Sequence, residues 1–293
     1  MPASFRRAAI VGTGLIGGSF ALALRKHFPK TEVVGWDKTQ VLDQALERNA
    51  IKEGIADLPT ALKGADLIYI SLPVGHTIEL LPEIGRLAPR NALVTDACST
   101  KRSVCAAAVE AFREGGAHFL GGHPMAGKEI SGIASAEANL FRGSKYALIP
   151  TATKAADPSK MGSQAANFVA VIEKFGAEPM WLAADVHDRA AAVISHLPQL
   201  LSVALAGVVR KQTDETGLPV TLAGRGLRDS LRLAGSPYSV WRDIILTNSD
   251  NLEQMLDQMI QALEQVRSEL RTRALEEEFS EAGELYKILR DMK

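Results

Sequence analysis

The chain has 293 residues, 46% of them hydrophobic and 23% charged, with a formal net charge of −1. That length exceeds one typical domain and suits two, and the near-neutral balance excludes a general polyanion binder while leaving single cations able to hold a small anion. The two cysteines, Cys98 and Cys105, are too few for a disulfide framework and wrongly patterned for a zinc site; a reducing cytoplasm fits, and no metal, nucleic acid or membrane is expected as a partner. Arg6 and Arg7 precede an apolar run from Ala8 to Leu24 that superficially reads as an export signal, but Gly12, Gly14, Gly17 and Gly18 interrupt it. No other segment reads as the ~20 apolar residues a membrane span requires.

In chain order, Ala8–Gly12 is a compact apolar strand, Leu15–His27 a helix, Glu32–Trp36 a strand and Thr39–Asn49 a helix. Asp66–Leu72 (DLIYISL) is a strongly apolar strand, followed by a helix near His76–Leu87. Ala92–Asp96, Ala117–Gly121, Lys145–Ile149 and Pro179–Leu182 read as further strands, with helices at Lys101–Glu114 and Pro158–Phe175. Thr151–Gln164, rich in small and polar residues, reads as a surface loop. Strands apolar throughout and separated by helices indicate a parallel sheet covered on both faces.

The pattern changes after Ala183. Asp185–Arg210 is one long helical candidate in which Pro198 predicts a kink or break. From Leu252 the apolar residues fall at Met255, Leu256, Met259, Ile260, Leu263, Val266 and Leu270, a helical stripe suited to packing within a helical domain, to a subunit interface, or to both. No strand pattern is visible here, so residues 1–183 are expected to form an α/β domain and 184–293 an all-α domain.

Gly12-Thr13-Gly14-Leu15-Ile16-Gly17 fits the G-x-G-x-x-G dinucleotide fingerprint, directly after a strand and opening a helix. The first glycine permits the tight turn, the second lets backbone approach a pyrophosphate, and the third allows close helix–strand packing. Asp37 ends the second strand, where a carboxylate accepts ribose hydroxyls and repels the extra phosphate of NADP; Lys38 beside it partly offsets that charge. These residues, with Ser71 and Pro73 after the next strand, are the candidate contacts for NAD in a Rossmann-type domain.

Three further segments carry candidate chemistry. Thr95–Lys101 (TDACSTK) lies at the carboxyl end of a strand, where open α/β sheets bind ligands; Ser99 in it suits either a reactive role or a helix N-cap. Gly121–Gly132 (GGHPMAGKEISG) sets His123 between glycine and proline just after a strand. Gly226–Pro237 (GLRDSLRLAGSP) offers Arg228 and Arg232, although Arg228 has Asp229 beside it as an ion-pair partner.

The glycine turn, TDACSTK, GGHPMAGKEISG, SHLPQ (Ser195–Gln199) and GLRDSLRLAGSP, in that order, resemble the prephenate/arogenate dehydrogenase family over about Arg6 to Leu270, and HPMAG-x-E-x-SG is the most discriminating stretch. The resemblance implies a nucleotide-binding domain joined to a helical dimerisation domain, a homodimer, and NAD-dependent oxidative decarboxylation of a cyclohexadienyl ring in tyrosine biosynthesis, with prephenate giving 4-hydroxyphenylpyruvate or arogenate giving tyrosine. It makes His123 the catalytic histidine at the ring hydroxyl, Ser99 the bridge between that hydroxyl and the nicotinamide, and Arg232 the ligand of a substrate carboxylate. His196, Gln199, Glu129 and Ser131 are the further substrate candidates. Two departures stand out: Gln199 replaces a second histidine of many relatives, and Cys98 replaces a frequent glycine. A β-hydroxyacid dehydrogenase also joins such domains, but usually needs a lysine on the interdomain helix, and Asp185–Val209 has none. A non-enzymatic NAD-binding regulator is the remaining reading.

Overall fold

The computed structural model describes residues 5–114, 116–128, 130–151 and 162–291. Its sheet has eight strands: β1 (Arg7–Val11), β2 (Glu32–Trp36), β3 (Glu53–Gly54), β4 (Leu67–Ile70), β5 (Leu93–Asp96), β6 (His118–Pro124), β7 (Lys145–Pro150) and β8 (Glu178–Trp181), in the order β3-β2-β1-β4-β5-β6-β7-β8. The order reverses at β1, so the carboxyl ends of β1 and β4 flank the crevice where such sheets bind ligands. Helices α1 (Leu15–His27), α2 (Thr39–Glu47), α3 (Leu58–Leu62), α4 (Val74–Leu87), α5 (Arg102–Ala111) and α6 (Ser163–Lys174) cover the two faces. Each face has its own apolar core; in one, Phe20 stacks on Tyr69 at 3.8 Å, and the buried Tyr69 and Tyr146 hydroxyls meet at 3.2 Å.

The strand pattern expected from sequence is present, with three corrections. The short β3 and α3 were not anticipated: they offer two and five residues, too little for a periodicity to show. β6 continues to Pro124, so His123 sits inside the strand, opposite Ala147, and not in a loop after it. β7 runs antiparallel to β6. Parallel pairing needs a crossover of a dozen or more residues, usually a helix; among the described residues of this connection the only helical turn is the 3₁₀ segment Ile133–Ser135. Of the expected 151–164 loop, residues 152–161 lie outside the described ones, and α6 already begins at Ser163.

The described residues after β8 form helices only: α7 (Ala184–Ala191), α8 (Leu197–Gln212), α9 (Leu218–Thr221), α10 (Arg225–Leu231), α11 (Tyr238–Thr247), α12 (Ser249–Glu269) and α13 (Leu275–Asp291). The distortion expected at Pro198 is a wide π turn, Ala192–His196, which joins α7 to α8. Pro198 then falls in the first turn of α8, where its missing N–H is least costly.

The helix Ala184–Gln212 as a whole is long and apolar enough to cross a membrane, which corrects the sequence expectation. Its polar residues masked the length: residues 190–209 include His196, Gln199 and Ser202 but no Asp, Glu, Lys or Arg. Those three side chains are buried, whereas Val193, Ile194, Val203 and Val208 are exposed. In α12 the apolar stripe is fully buried at Leu252 and half-buried at Met255, Leu256 and Met259; Ile260, Leu263, Val266 and the following Leu270 face out, and α13 buries no side chain.

Two carboxylates of the helical half close helix ends of the sheet half. Asp188 on α7, fully buried, accepts Lys101 N at 2.7 Å and Arg102 N at 2.8 Å, capping α5. Asp243 on α11 accepts Gly75 N at 3.0 Å in the first turn of α4. Exposed N–H groups and the positive end of the helix dipole make both ends good carboxylate sites. Arg102 also donates to Asp250 at 2.7 Å, and Thr100 meets Thr247 at 2.7 Å, hydroxyl to hydroxyl. Asp188→Ala removes the acceptor of two buried N–H groups, and is expected to lower the unfolding free energy by about 2–4 kcal/mol; urea unfolding measures it, and an unchanged midpoint would contradict the capping role.

Candidate active site

The fingerprint turn meets each geometric demand on its glycines. Gly12 has φ +93°, and a Cβ there would lie 2.4 Å from Ser71 O. A Cβ on Gly17 would lie 1.9 Å from Gly12 O, whereas Gly14 faces open space within 4 Å. The first and third glycines are therefore required for packing, while the second leaves room for a ligand to approach backbone. Gly14 starts α1, and no side chain of its own caps that helix, so the N-terminal N–H groups at Leu15 and Ile16 are placed for an anion. Ser71 N donates to Val11 O at 2.7 Å, which holds the β4 exit against the turn, and Pro73 leads directly into α4.

Asp37 reaches back to this turn: its Oδ2 accepts Thr13 N at 2.7 Å, and its Oδ1 accepts Lys38 N at 2.7 Å. It also lines a cavity of about 420 Å³ together with Trp36, Lys38, Leu72, His76, Glu79 and Leu80. An apolar slot with a carboxylate at its rim suits an adenosine, so the residues present fit a dinucleotide. His76 and Glu79 were missed from sequence because α4 carries no motif, and Trp36 because the end of β2 carries none besides Asp37.

The second constellation sits where β5 and β6 end. A Cβ on Gly122 would lie 2.5 Å from Asp96 O, so only glycine lets β6 approach β5 this closely. That contact brings His123 to α7, where His123 Nδ1 and His187 Nε2 are 2.9 Å apart. His187 Nδ1 lies 2.8 Å from Asp188 Oδ1. A carboxylate only accepts, so His187 donates from Nδ1, and in its neutral form it accepts at Nε2. His123 then donates from Nδ1 and presents a free lone pair at Nε2. Burial holds the His123 imidazole well below its ordinary range, reinforced by His187, Lys101 and His196. His196, in the π turn, is lowered to about 4 by burial, with Asp188 opposing and His187 adding to the effect. It meets Asn248 Nδ2 at 3.1 Å, and Asn248 also donates to Asp188 O at 2.8 Å. His187 and Asp188 were missed from sequence; an HD pair on a helix carries no motif, and its meaning comes from what lies opposite.

Ser99 is half-buried between β5 and α5 and does not cap the helix, whose cap position is Lys101. Cys98 is buried, its thiol 3.2 Å from Thr77 Oγ1, and burial pushes it far towards the protonated form; it tightens the loop and exposes no reactive sulfur. Gln199 is buried one turn after His196, and its Oε1 has no hydrogen-bond partner among the described residues. Ser202, one turn further on α8, donates to Ser230 O at 2.8 Å and accepts Ala234 N at 3.0 Å. This pins the short 3₁₀ turn Arg232–Gly235, and so the exposed Arg232, to the α8 face that carries Gln199. Among the described residues Arg228 makes no ion pair with Asp229. Ser131 is exposed and bonds none of the cluster, and Glu129 lies outside the described residues.

Residues 20–174 match the family model for the prephenate dehydrogenase nucleotide-binding domain, and residues 183–290 that for the prephenate dehydrogenase dimerization domain. The prephenate dehydrogenase of Bacillus subtilis is 31% identical over 266 residues, 88% of this chain and 68% of its own. Among solved structures, prephenate dehydrogenase from A. aeolicus in complex with hydroxyphenyl propionate and NAD+ has a TM-score of 0.86 at 29% identity, covering 98% of both chains. Synechocystis arogenate dehydrogenase has a TM-score of 0.73 at 29% identity, covering 97% of this chain and 96% of its own.

The place of Asp37 at the rim of this cavity generates one expectation. Asp37→Ser is expected to improve NADP use relative to NAD, because it removes the carboxylate that repels a 2′-phosphate; the ratio of kcat/KM for the two cofactors reads it, and a wild-type preference for NADP would refute the assignment.

Proposed function

The chain belongs to the prephenate dehydrogenase family, and from that premise we propose that its histidine cluster removes the ring hydroxyl proton during oxidative decarboxylation of prephenate to 4-hydroxyphenylpyruvate. The protein is an NAD-dependent oxidoreductase of tyrosine biosynthesis. The observation that carries the assignment of the base is the Asp188–His187–His123 chain, which ends with the His123 lone pair at the carboxyl end of β6. The Gly12–Gly17 turn, Asp37, Ser71 and Pro73 would hold NAD, which would supply the hydride acceptor.

His123 Nε2 takes the proton of the ring hydroxyl as hydride leaves its carbon, and the ring carboxylate departs as carbon dioxide; the gained aromaticity drives the step. An imidazole lowered well below its ordinary range is neutral near pH 7, as a general base requires. Ser99, in the loop after β5, would bridge that hydroxyl and the nicotinamide. Arg232 takes a substrate carboxylate, for which the planar guanidinium fork is suited, and His196, Gln199, Glu129 and Ser131 complete the substrate surface.

Gln199 favours a second reading. Its buried Oε1, without a partner, is an acceptor that an ammonium group satisfies, and arogenate carries one where prephenate carries a keto group. Comparing kcat/KM for the two substrates with NAD decides between them; a higher value for arogenate would overturn the prephenate assignment.

We place the division between the domains at 183/184 and the protein in the cytoplasm. The outward faces of α8, α12 and α13 would leave much apolar surface in water, and a homodimer covers it. Sedimentation is expected to give a dimer, and a monomer at micromolar concentration would refute this.

His123→Asn is expected to lower kcat by about 100-fold or more while NAD affinity holds. Arg232→Ala is expected to raise KM for the substrate by about 30-fold or more at unchanged NAD affinity. Near-normal turnover in the first variant, or normal substrate KM in the second, would remove the respective role.

A further inference from the structure

Lys101 is one of the largest fully buried side chains in the molecule and carries a charge. It comes from the TDACSTK segment, yet touches neither the cofactor turn nor the substrate candidates. Its Nζ donates to Asp96 and, at 2.6 Å, to Gly122 O, while its backbone N donates to Asp188 Oδ1 at 2.7 Å. Asp96, fully buried, also accepts Cys98 N at 2.9 Å and Gly122 N at 3.0 Å. The pair thus ties together the strand residue next to His123, the loop that carries Ser99, and the carboxylate that orients His187.

We propose that the buried Lys101–Asp96 pair is a positioning and electrostatic device for the catalytic histidine: it fixes the β5 and β6 ends relative to α7 and keeps a positive charge beneath His123 that favours the neutral imidazole. A buried ion pair is weak as a stabiliser, because desolvation offsets its attraction. Retention of a fully enclosed ammonium within this shell of bonds is explained better by what it does to its neighbours.

The surroundings support the sign of the effect. Burial works against the Lys101 charge, but Asp96 outweighs it, so the ammonium persists. Besides Asp188 and the histidines, two thiols lie near it: Cys105 on α5 is pushed by burial up to about 12 and Cys98 further, so both stay protonated and neutral. His123 itself is faced by His187 from α7, His196 from the π turn, and Lys101 from the start of α5. Like charge disfavours the imidazolium, so Lys101 lowers the pH at which His123 protonates, and losing Lys101 raises it.

This inference rests on His123 being the base, so the test reads both the ring and the rate. Two variants are needed. Lys101→Met removes the ammonium; Asp96→Asn with Lys101→Met removes both charges and leaves no lone buried charge to unfold the protein. Histidine side-chain NMR of the full-length protein follows His123 without substrate. In folded Lys101→Met its titration is expected to move up by about one pH unit, and in the double variant by less, because the Asp96 carboxylate that favours the imidazolium is removed as well. The acid limb of kcat should move with it, while kcat at its plateau falls about 10- to 100-fold from misplacement and KM for NAD stays unchanged. A folded double variant with the His123 titration and the acid limb of wild type would overturn the proposal. If the ring titration moves while wild type turns over neither prephenate nor arogenate, Lys101 keeps its role and the proposed function fails.

Discussion

The Asp188 carboxylate connects the parts of this protein that matter most to one another. It lies on a helix of the second domain, is fully enclosed, and receives hydrogen bonds from Lys101 N, Arg102 N and His187 Nδ1. Burying a carboxylate is costly unless its lone pairs are met, and a helix N-terminus meets them with N–H groups that have no other partner. Burial pulls its protonation upward, but the His187 bond and the two backbone donors outweigh it, and the group is held below the ordinary carboxylate value. A depressed carboxylate contributes stability that is complete above its unfolded pKa and is lost as pH falls through the lower folded value. The interaction therefore keeps its charge throughout the neutral range in which the imidazoles must work.

The same logic organises the sheet edge. Helices α1, α4 and α5 of the first domain all begin there. The N-terminal N–H groups of α4 and α5 are taken by Asp243 and Asp188 from the second domain, whereas α1 opens on Gly14 with no side-chain cap. Two of these three helix ends thus hold the domains together, and the third has no side-chain cap and suits an anion. Domain docking and cofactor binding are alternative uses of one physical feature, the unsatisfied N-terminus of a helix.

The second domain divides its surfaces differently. The inward face of the long interdomain helix is polar, with His187, Asp188, His196, Gln199 and Ser202 buried against the first domain and the α10–α11 region. Its outward face is apolar, and α12 and α13 also expose apolar side chains among their charged ones. This inverts the usual pattern of a surface helix and is why length and hydropathy alone make the helix resemble a membrane span. The apolar stripe from Leu252 shows the same inversion: only its first member is fully buried within the chain.

What was legible in the sequence was whatever a short stretch of chain decides for itself. The strand–glycine turn–helix unit is such a case, because Gly12 and Gly17 are demanded by contacts inside one β-turn-α unit and Asp37 follows on the adjacent strand. Alternation of apolar strands with helices gave the sheet, and Pro198 marked the distorted turn, since both are local backbone effects. His123 was recognisable from its motif. The tertiary structure alone decided that His123 lies within β6, that β7 reverses direction, that Ser99 leaves the capping of α5 to Asp188, and that His187 sets the tautomer of His123. Residues 123 and 187 are 64 positions apart, and nothing in the chain near either one specifies the other. Their meeting depends on a close approach of β6 to β5 that only Gly122 permits, and on a carboxylate from one domain finding the helix end of another; both are long-range contacts, and a hydrogen bond acquires its direction only once its partners are in place.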